Sequence, residues 1–260
     1  VLDPSVKASA KCDYVSQLFK FVDYRFYRTW GAQLDTLVNS CVRTHPADSS
    51  ALRLAGNWFY GTDRKDKGRE YFNRFVEAYP ENLDAQYLKL QVLMDEGATA
   101  RELIDQCEVI IRTGGEKNPR VMPALATIGD TYHKLGQEKN AFKAYDRALK
   151  ADPEYLPVLN NYAYYLSLQK KKLKKAASMS RKTVEKDPDN ATYLDTYGWI
   201  LYLQGKAQQA KPYFKHAMLY GGRDSAVILE HYATVLETLG ETDLARSFRL
   251  LSEKKKVLDE

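Results

Sequence analysis

Apolar residues recur along most of the chain at the spacing of amphipathic helices. Leu194, Tyr197 and Leu201, for example, occupy positions i, i+3 and i+7, which places them on one face of a helix. Short polar or glycine-containing segments interrupt this pattern. One break falls at Asp187-Pro188, since the residue before a proline is disfavoured in the helical conformation. The pattern therefore predicts a succession of short helices joined by tight turns.

Small residues punctuate these helices at a regular interval. One series is spaced by 34, 35 and 35 residues and a second by 35, 34 and 35. The two series are Gly129, Ala163, Gly198, Ala233 and Ala141, Ala176, Ala210, Ala245. A glycine inside a helix costs about 1 kcal/mol relative to alanine, so Gly198 indicates that two helices approach closely, with Ala210 as the expected partner. Gly205 is predicted to form the left-handed bend that ends the first helix.

The residues around these small positions resemble the tetratricopeptide repeat. From Leu125 the chain reads LATIGDTYHKLGQEKNAFKAYDRALKADP. The family pattern is similar: a large residue, Leu-Gly and Tyr, followed by a distant Ala, Phe or Tyr, Ala and Pro. Four regular copies follow from Leu125, and three degenerate copies precede them. The copy at residues 83–113 has helical patterning but lacks the Leu-Gly pair.

This resemblance covers about residues 15–255 and implies an all-α fold. The expected architecture is a right-handed α-solenoid superhelix of about seven antiparallel helix pairs. We predict a lead-in segment over residues 1–14 and degenerate repeats over residues 15–121. Regular repeats with a C-terminal capping helix are predicted over residues 122–260, and all repeats are expected to form one continuous solenoid.

Composition changes this picture little. The 260 residues include 39 Lys and Arg and 34 Asp and Glu, and the net charge of +5 does not by itself imply a nucleic-acid partner. No run approaches the roughly 18 apolar residues of a membrane span. The chain begins with VLDP, which we interpret as a trimmed or processed product. Cys12, Cys41 and Cys107 show no metal-binding spacing, so buried free thiols are favoured, with a single disulfide as the alternative.

The sequence carries none of the catalytic signatures that we sought. Phosphate-binding GxxxxGK[ST], zinc-binding HExxH, GxSxG and GxGxxG motifs are all missing. His45, His133, His216 and His231 fall in different repeats without a shared ligand spacing. The protein is therefore predicted to be no enzyme and to bind no cofactor or metal.

The family resemblance also implies where a partner would bind. Tetratricopeptide arrays usually bind peptides or proteins in a concave groove lined by the first helix of each pair. Candidates lie one residue beyond each repeat leucine or small residue, and their aromatic, amide and carboxylate groups suit an extended peptide. Packing between repeats is the alternative role for the tyrosines. The candidates are Arg53, Asn57, Tyr60, Tyr87, Gln91, Asp130, His133, Asn160, Tyr164, Asp195, Trp199, Tyr202, Glu230 and Thr234.

A lysine-rich turn and the helix that follows it form a second candidate surface. Such a cluster would bind anionic lipid headgroups, RNA or an acidic partner. Proteins that bind single-stranded nucleic acid have aromatic residues interleaved with their basic ones, and this cluster has none. We therefore interpret it as a solvated turn and expect no nucleic-acid partner. The patch consists of Lys170, Lys171, Lys172, Lys174, Lys175, Arg181 and Lys182.

Together these features predict a non-catalytic scaffold that binds a peptide or a segment of a partner protein in the concave groove. The segment 159–205 also resembles the C-terminal repeats of bacterial tetratricopeptide proteins that are exported or envelope-associated. A role in envelope assembly is therefore part of the hypothesis, and the periplasm or cell envelope is favoured over the cytoplasm. The alternatives are binding of an anionic polymer, lipid or RNA through residues 170–182, and a regulatory subunit of an enzyme.

Overall fold

The structure is a computed structural model that describes residues 3, 5–170 and 172–258. Over these residues the chain forms fourteen α-helices and three short 3-10 helices, with no β-strand. The helices follow one another as seven pairs, which confirms the predicted all-α architecture. The chain divides into two compact units, Val1–Thr127 and Ile128–Glu260.

The first unit contains six complete helices and the start of a seventh. They are α1 (Ala8–Leu18), α2 (Tyr24–Thr44), α3 (Ser49–Gly61), α4 (Lys65–Ala78), α5 (Leu83–Asp95) and α6 (Ala100–Gly114). Helix α1 begins inside the segment predicted as a lead-in. Side chains of α1 to α5 form the core of this unit, which includes Val15, Val38, Phe59 and Phe75.

The second unit continues the same arrangement of helical hairpins. Its elements are α7 (Met122–Lys134), in which the division between the units falls, α8 (Glu138–Ala151), α9 (Leu156–Leu168), α10 (Leu173–Lys186), α11 (Ala191–Leu203), α12 (Ala207–Ala217), α13 (Ala226–Thr238) and α14 (Thr242–Leu258). Leu194, Phe214, Leu229 and Leu236 belong to a core that α10 to α14 share.

Local sequence signals set the ends of these helices. Gly205 has φ +77°, the left-handed conformation that ends α11, as predicted. Side-chain oxygens cap several helix starts: Asn190 accepts from the backbone N–H groups of Thr192 and Tyr193 at distances of 3.1 and 3.2 Å. Where they occur, these caps and turns explain why a helix begins or ends where the repeat pattern breaks.

The close approach at Gly198 involves a different partner from the one predicted. A Cβ atom added at Gly198 would lie 2.8 Å from the ring of Phe214, so the aromatic ring of α12, and not Ala210, fills the space that the glycine leaves. Ala210 is itself fully buried, one helical turn before Phe214. A Cβ atom added at Gly129 would likewise clash with the ring of Tyr145. The small residue therefore admits an aromatic ring from the second helix of its hairpin.

The hairpin of α5 and α6 is closed by a different contact. Gln106 donates from Nε2 to the backbone oxygen of Gln86 at 3.0 Å and to its side-chain Oε1 at 2.9 Å. Both glutamines are 4% exposed, and Gln86 also donates to the backbone oxygen of Pro80 at 2.8 Å. A satisfied pair of buried amides thus replaces the glycine and aromatic ring in the copy that lacks the Leu-Gly pair.

The three cysteines are free thiols, and all three are buried in the first unit. This confirms the favoured interpretation of the sequence over a disulfide. Burial raises the pKa of the Cys107 thiol to about 12, because the apolar surroundings disfavour the thiolate. The Cys12 thiol has a raised pKa because it is hydrogen-bonded to Cys41 and buried.

Candidate ligand-binding groove

The second unit has an open cavity of about 730 Å³ against the first helices of its repeats. It is bordered by α9, by the turn between α10 and α11, by α11, and by the loop and helix start at residues 220–228. Three of the predicted groove residues, Asn160, Tyr164 and Asp195, line this cavity together. The structure therefore brings one part of the predicted set into a single concave surface.

Among the residues that line this cavity, Asn160 has a buried amide oxygen without a hydrogen-bond partner in the described part of the chain. Its Nδ2 donates to Asn161 Oδ1 at 3.3 Å, and the residue is 4% exposed. An unsatisfied buried acceptor typically costs about 1–3 kcal/mol. Such a group in a concave surface is a candidate ligand contact, because a donor from a bound molecule would remove this cost.

Asp195 occupies the position equivalent to Asn160 in the next repeat, 35 residues further on, and is 5% exposed. Its Oδ1 lies 2.9 Å from Nδ1 of His231 on α13. The His231 ring stacks on Trp199 with a centroid distance of 3.9 Å and an interplanar angle of 12°. Trp199 also stacks on Tyr202 at 5.0 Å. Trp199 and Tyr202, both predicted groove residues, therefore pack against neighbouring rings and hold Asp195 and His231 in place.

Two further predicted residues, Asp130 and His133, support the cavity from α7. Both Asp130 carboxylate oxygens accept from Asn161 Nδ2 at 3.1 Å, and Asp130 also accepts from the Tyr145 hydroxyl. Burial, followed by the hydrogen bond to Asp130, raises the pKa of Tyr145. His133 stacks on Tyr165 with ring centroids 3.5 Å apart. This network fixes the orientation of Asn161 and Tyr165, which both line the cavity.

The predicted residues on α13 contact their own hairpin. Arg249 Nε on α14 donates to Glu230 Oε1 at 3.2 Å, and Thr234 Oγ1 donates to the Glu230 backbone oxygen at 2.9 Å. Neither residue lines the cavity.

Sequence reasoning missed several residues that the cavity includes. Asp189 lies in the turn before α11, and Tyr220 and Asp224 lie in the loop before α13. The segment YGGRD, residues 220–224, stands where the two preceding copies of the repeat have a proline. That departure was the available signal, because a longer connection at this point brings polar side chains to the rim of the groove.

In the first unit, three of the five predicted residues make polar contacts with residues outside the predicted set. Arg53 Nη1 lies 3.6 Å from Asp84 Oδ2, and the Tyr60 hydroxyl donates to Asp95 at 2.8 Å. Tyr87 donates to the backbone oxygen of Arg120 at 2.6 Å. Arg53, Tyr87 and Gln91 line a cavity of about 660 Å³. Exposed Asn57 lines a separate small cavity of about 120 Å³ with Arg53.

The lysine-rich patch is exposed on the turn before α10 and on that helix, and Lys171 lies outside the described residues. Lys170 and Lys172 both have φ +52°. Lys175 Nζ lies 4.4 Å from the centroid of the Tyr162 ring and donates to its hydroxyl at 3.3 Å, while Arg181 is paired with Glu185 at 2.8 Å. Two of the cations therefore have partners within the second unit.

Other classes of site were sought in the part of the chain that the structure describes. No group of three or more His, Cys, Asp or Glu side chains there is arranged to hold a metal ion. Among these residues, none of the helices combines the length and the apolar character that a membrane crossing requires.

Repeated helical hairpins with a groove of polar and aromatic residues define a helical-repeat protein. Two family profiles, both described as tetratricopeptide repeat, match residues 53–119 and 123–155. These two stretches therefore match tetratricopeptide repeats, as the sequence indicated. Proteins built from these repeats are generally non-catalytic scaffolds that bind other proteins. A comparison with curated proteins found no match.

Solved structures of tetratricopeptide proteins share this fold. PilW, described as a type IV pilus biogenesis factor, is 19% identical with a TM-score of 0.64, and the match covers 88% of this chain and 98% of PilW. A tetratricopeptide repeat protein from Parabacteroides merdae is 11% identical with a TM-score of 0.63, over 95% of this chain and 93% of its own. YrrB, described as having an unusual peptide-binding site, is 17% identical with a TM-score of 0.52, over 74% of this chain and 95% of its own. Identities this low support the fold alone.

Proposed function

We propose that the groove on the second unit binds an extended segment of a partner protein and that the chain acts as a non-catalytic scaffold. The observation that carries this proposal is the buried, unpartnered amide oxygen of Asn160 in the lining of the 730 Å³ cavity. A backbone N–H of a bound peptide is the commonest donor that a partner protein can offer to such an acceptor.

The spacing of the acceptors supports an extended ligand. Asn160 and Asp195 occupy equivalent positions on α9 and α11, so successive first helices present successive acceptors to the same groove. Tyr164 lies one turn beyond Asn160 and is half-buried, and it also lines the cavity. Its ring offers apolar contact area at a low cost in conformational entropy.

The test begins with a random dodecapeptide library displayed on phage and selected against the whole chain. Affinities of synthetic versions of the selected peptides are then measured by fluorescence anisotropy. We expect Asn160→Ala and Tyr164→Ala each to weaken binding at least about tenfold, which corresponds to about 1.4 kcal/mol. Helicity measured by circular dichroism should stay unchanged.

Gln208→Ala provides the matched control, because Gln208 is exposed on α12 and does not line the cavity. It should leave the affinity of these peptides unchanged. Peptides that bind the Asn160 and Tyr164 variants as tightly as the unmodified protein would refute this groove as the binding surface.

The cellular role follows as a second part of the proposal. Resemblance of residues 159–205 to the repeats of exported and envelope-associated bacterial proteins supports a scaffold that works in cell-envelope assembly, in the periplasm or at the envelope. Fractionation of the native host cells with an antibody against this chain tests the compartment. Recovery of the protein only with cytoplasmic markers would contradict this location without affecting the groove.

A further inference from the structure

We infer that the groove selects a basic segment, whose arginine or lysine side chain enters the cavity between Asp189, Asp195 and Asp224. This inference rests on the proposed peptide-binding function and names the chemistry of the partner. Three kinds of observation support it: the charge of the lining, the surplus of hydrogen-bond acceptors, and the tyrosine rings beside them.

The charge of the cavity is opposite to the charge of the chain. The protein as a whole carries +5. The described residues that line the cavity include three aspartates and no lysine, arginine or histidine. The side chains of Asp189 and Asp224 are 53% and 81% exposed at the rim, whereas that of Asp195 is 7% exposed further in. The carboxylates at the rim would attract a cationic segment. The inner carboxylate would then bind the charged group of that segment at a less solvated position.

Each aspartate keeps the capacity to accept more hydrogen bonds. Asp189 Oδ1 lies 2.8 Å from His216 Nε2, and Asp195 Oδ1 lies 2.9 Å from His231 Nδ1. Asp224 Oδ1 accepts from Lys255 Nζ at 3.2 Å. Each of these contacts uses one oxygen, and an ionised carboxylate can accept about four hydrogen bonds in all. The neighbours outside the cavity therefore position the aspartates without saturating them.

The unpartnered oxygen of Asn160 is independent evidence for a donor-rich ligand. Asn160 is only 4% exposed, and its Oδ1 has no hydrogen-bond partner among the described residues. Guanidinium and ammonium groups carry only donors, five and three respectively. A basic side chain thus matches both the amide oxygen and the carboxylates, whereas an acidic side chain would supply only further acceptors.

Aromatic rings complete a site of this kind. Tyr164 and Tyr220 both line the cavity, and the charge of Asp195 contributes to the raised pKa of Tyr164, after the effect of burial. The Asp195 carboxylate is therefore electrostatically coupled to the Tyr164 side chain. A cation over an aromatic face is attracted by the negative face of the ring, and more strongly when the cation is desolvated. Both kinds of attraction would act on one bound cation.

The experiment uses the dodecapeptides selected on the whole chain, each resynthesised with its Arg and Lys residues replaced by Gln or by Glu. We expect the selected peptides to be enriched in Arg or Lys, the Gln versions to bind at least about tenfold more weakly, and the Glu versions to show no binding. Asp224→Asn and Asp195→Asn should each reduce the preference for Arg over Gln at least about threefold.

Two variants keep the test interpretable. Asp224 is exposed, so Asp224→Asn should fold normally even if Asp195→Asn disturbs the contact with His231. Asp105→Asn makes the same change of charge on α6 in the first unit, where Asp105 is exposed, and should leave the preference unchanged. An unaltered preference in Asp224→Asn would overturn the inference.

The remaining outcomes separate the inference from the proposed function. Peptides that need Asn160 for binding but contain no basic residue, or that bind equally well as Gln versions, would overturn the selection of a basic segment and leave the groove intact. A library that yields no peptide sensitive to Asn160→Ala or Tyr164→Ala would overturn both proposals.

Discussion

The two units use the same helical hairpins but differ in how the polar groups on their first helices are satisfied. In the first unit, Asp84 is paired with both Arg53 and Arg120, and Asp95 accepts from Tyr60. In the second unit, Asn160 leaves an acceptor unpartnered among the described residues, beside carboxylates with unused capacity. The repeat fold therefore supplies a concave surface in either case. What distinguishes a candidate binding surface is the hydrogen-bonding capacity that the chain leaves unused.

The largest effect on stability that we expect comes from removing the aromatic ring that packs against the glycine within a hairpin. Phe214 is fully buried and fills the space beside Gly198. Phe214→Ala should lower the free energy of unfolding by about 3–5 kcal/mol, since it removes a buried ring and leaves a cavity. Urea denaturation followed by circular dichroism measures this change. Leu219→Ala, at a side chain that is 73% exposed, is the control and should change stability by no more than about 0.5 kcal/mol.

Replacing the glycine with alanine adds a methyl group beside the aromatic ring. This change tests whether both units depend on close contact between a glycine and a ring. A Cβ at Gly56 in the first unit would lie 2.3 Å from the Phe72 ring, and one at Gly129 in the second would lie 2.2 Å from Tyr145. Each Gly→Ala change should destabilise the protein by about 1–3 kcal/mol, because overpacking outweighs the gain in helix propensity.

Gly61 offers a matched control for this pair. It lies at the end of α3, and an added Cβ would meet no atom within 4 Å. Gly61→Ala should therefore be neutral or stabilising by up to about 1 kcal/mol. Equal losses of stability at Gly56, Gly129 and Gly61 would show that helix propensity and backbone effects, and not contact with the ring, determine the outcome.

The hairpin of α5 and α6 allows a test of the buried amide pair that takes the place of the glycine and the aromatic ring there. Gln106→Ala removes the donor to Gln86 and leaves a buried amide oxygen without its partner, which should cost about 1–3 kcal/mol. The double change Gln86→Leu and Gln106→Leu should recover most of this loss, because it replaces both polar partners with apolar groups. Thermal denaturation of the two variants and the unmodified protein provides the comparison, and a double variant less stable than Gln106→Ala would argue against the amide pair as the cause.

The sequence predicted the hairpins better than it predicted their contacts. Periodicity predicted seven helix pairs and the bend at Gly205, because helix breaks and small residues recur at fixed intervals. It named Ala210 as the neighbour of Gly198 because both are small, but Ala210 and Phe214 lie one turn apart on the same helix. Spacing alone does not determine which of two such residues points at the glycine.

The sequence likewise predicted only the part of the candidate site that lies at repeat positions. Asn160, Tyr164 and Asp195 were accessible to sequence reasoning because they occupy repeat positions on first helices. Tyr220 and Asp224 were not, because the loop that carries them departs from the repeat and its path depends on tertiary structure. The pairing of Asp195 with His231 was equally hidden, since it joins α11 and α13 across 36 residues.

The smallest expected effect concerns thiol reactivity, which reports on the first unit alone because all three cysteines lie there. Burial raises the pKa of Cys107 to about 12, so at pH 8 only about one thiol in ten thousand is ionised, and the thiolate is the reactive form. Native protein should therefore react with iodoacetamide at Cys107 far more slowly than denatured protein, as measured by mass spectrometry of the labelled peptides. Because the pKa is raised, the rate should keep increasing with pH from 7 to 10. A rate that levels off below pH 9 would show that the thiol titrates in an open, solvated conformation and that the α5–α6 hairpin protects its core less well than its buried amide pair indicates.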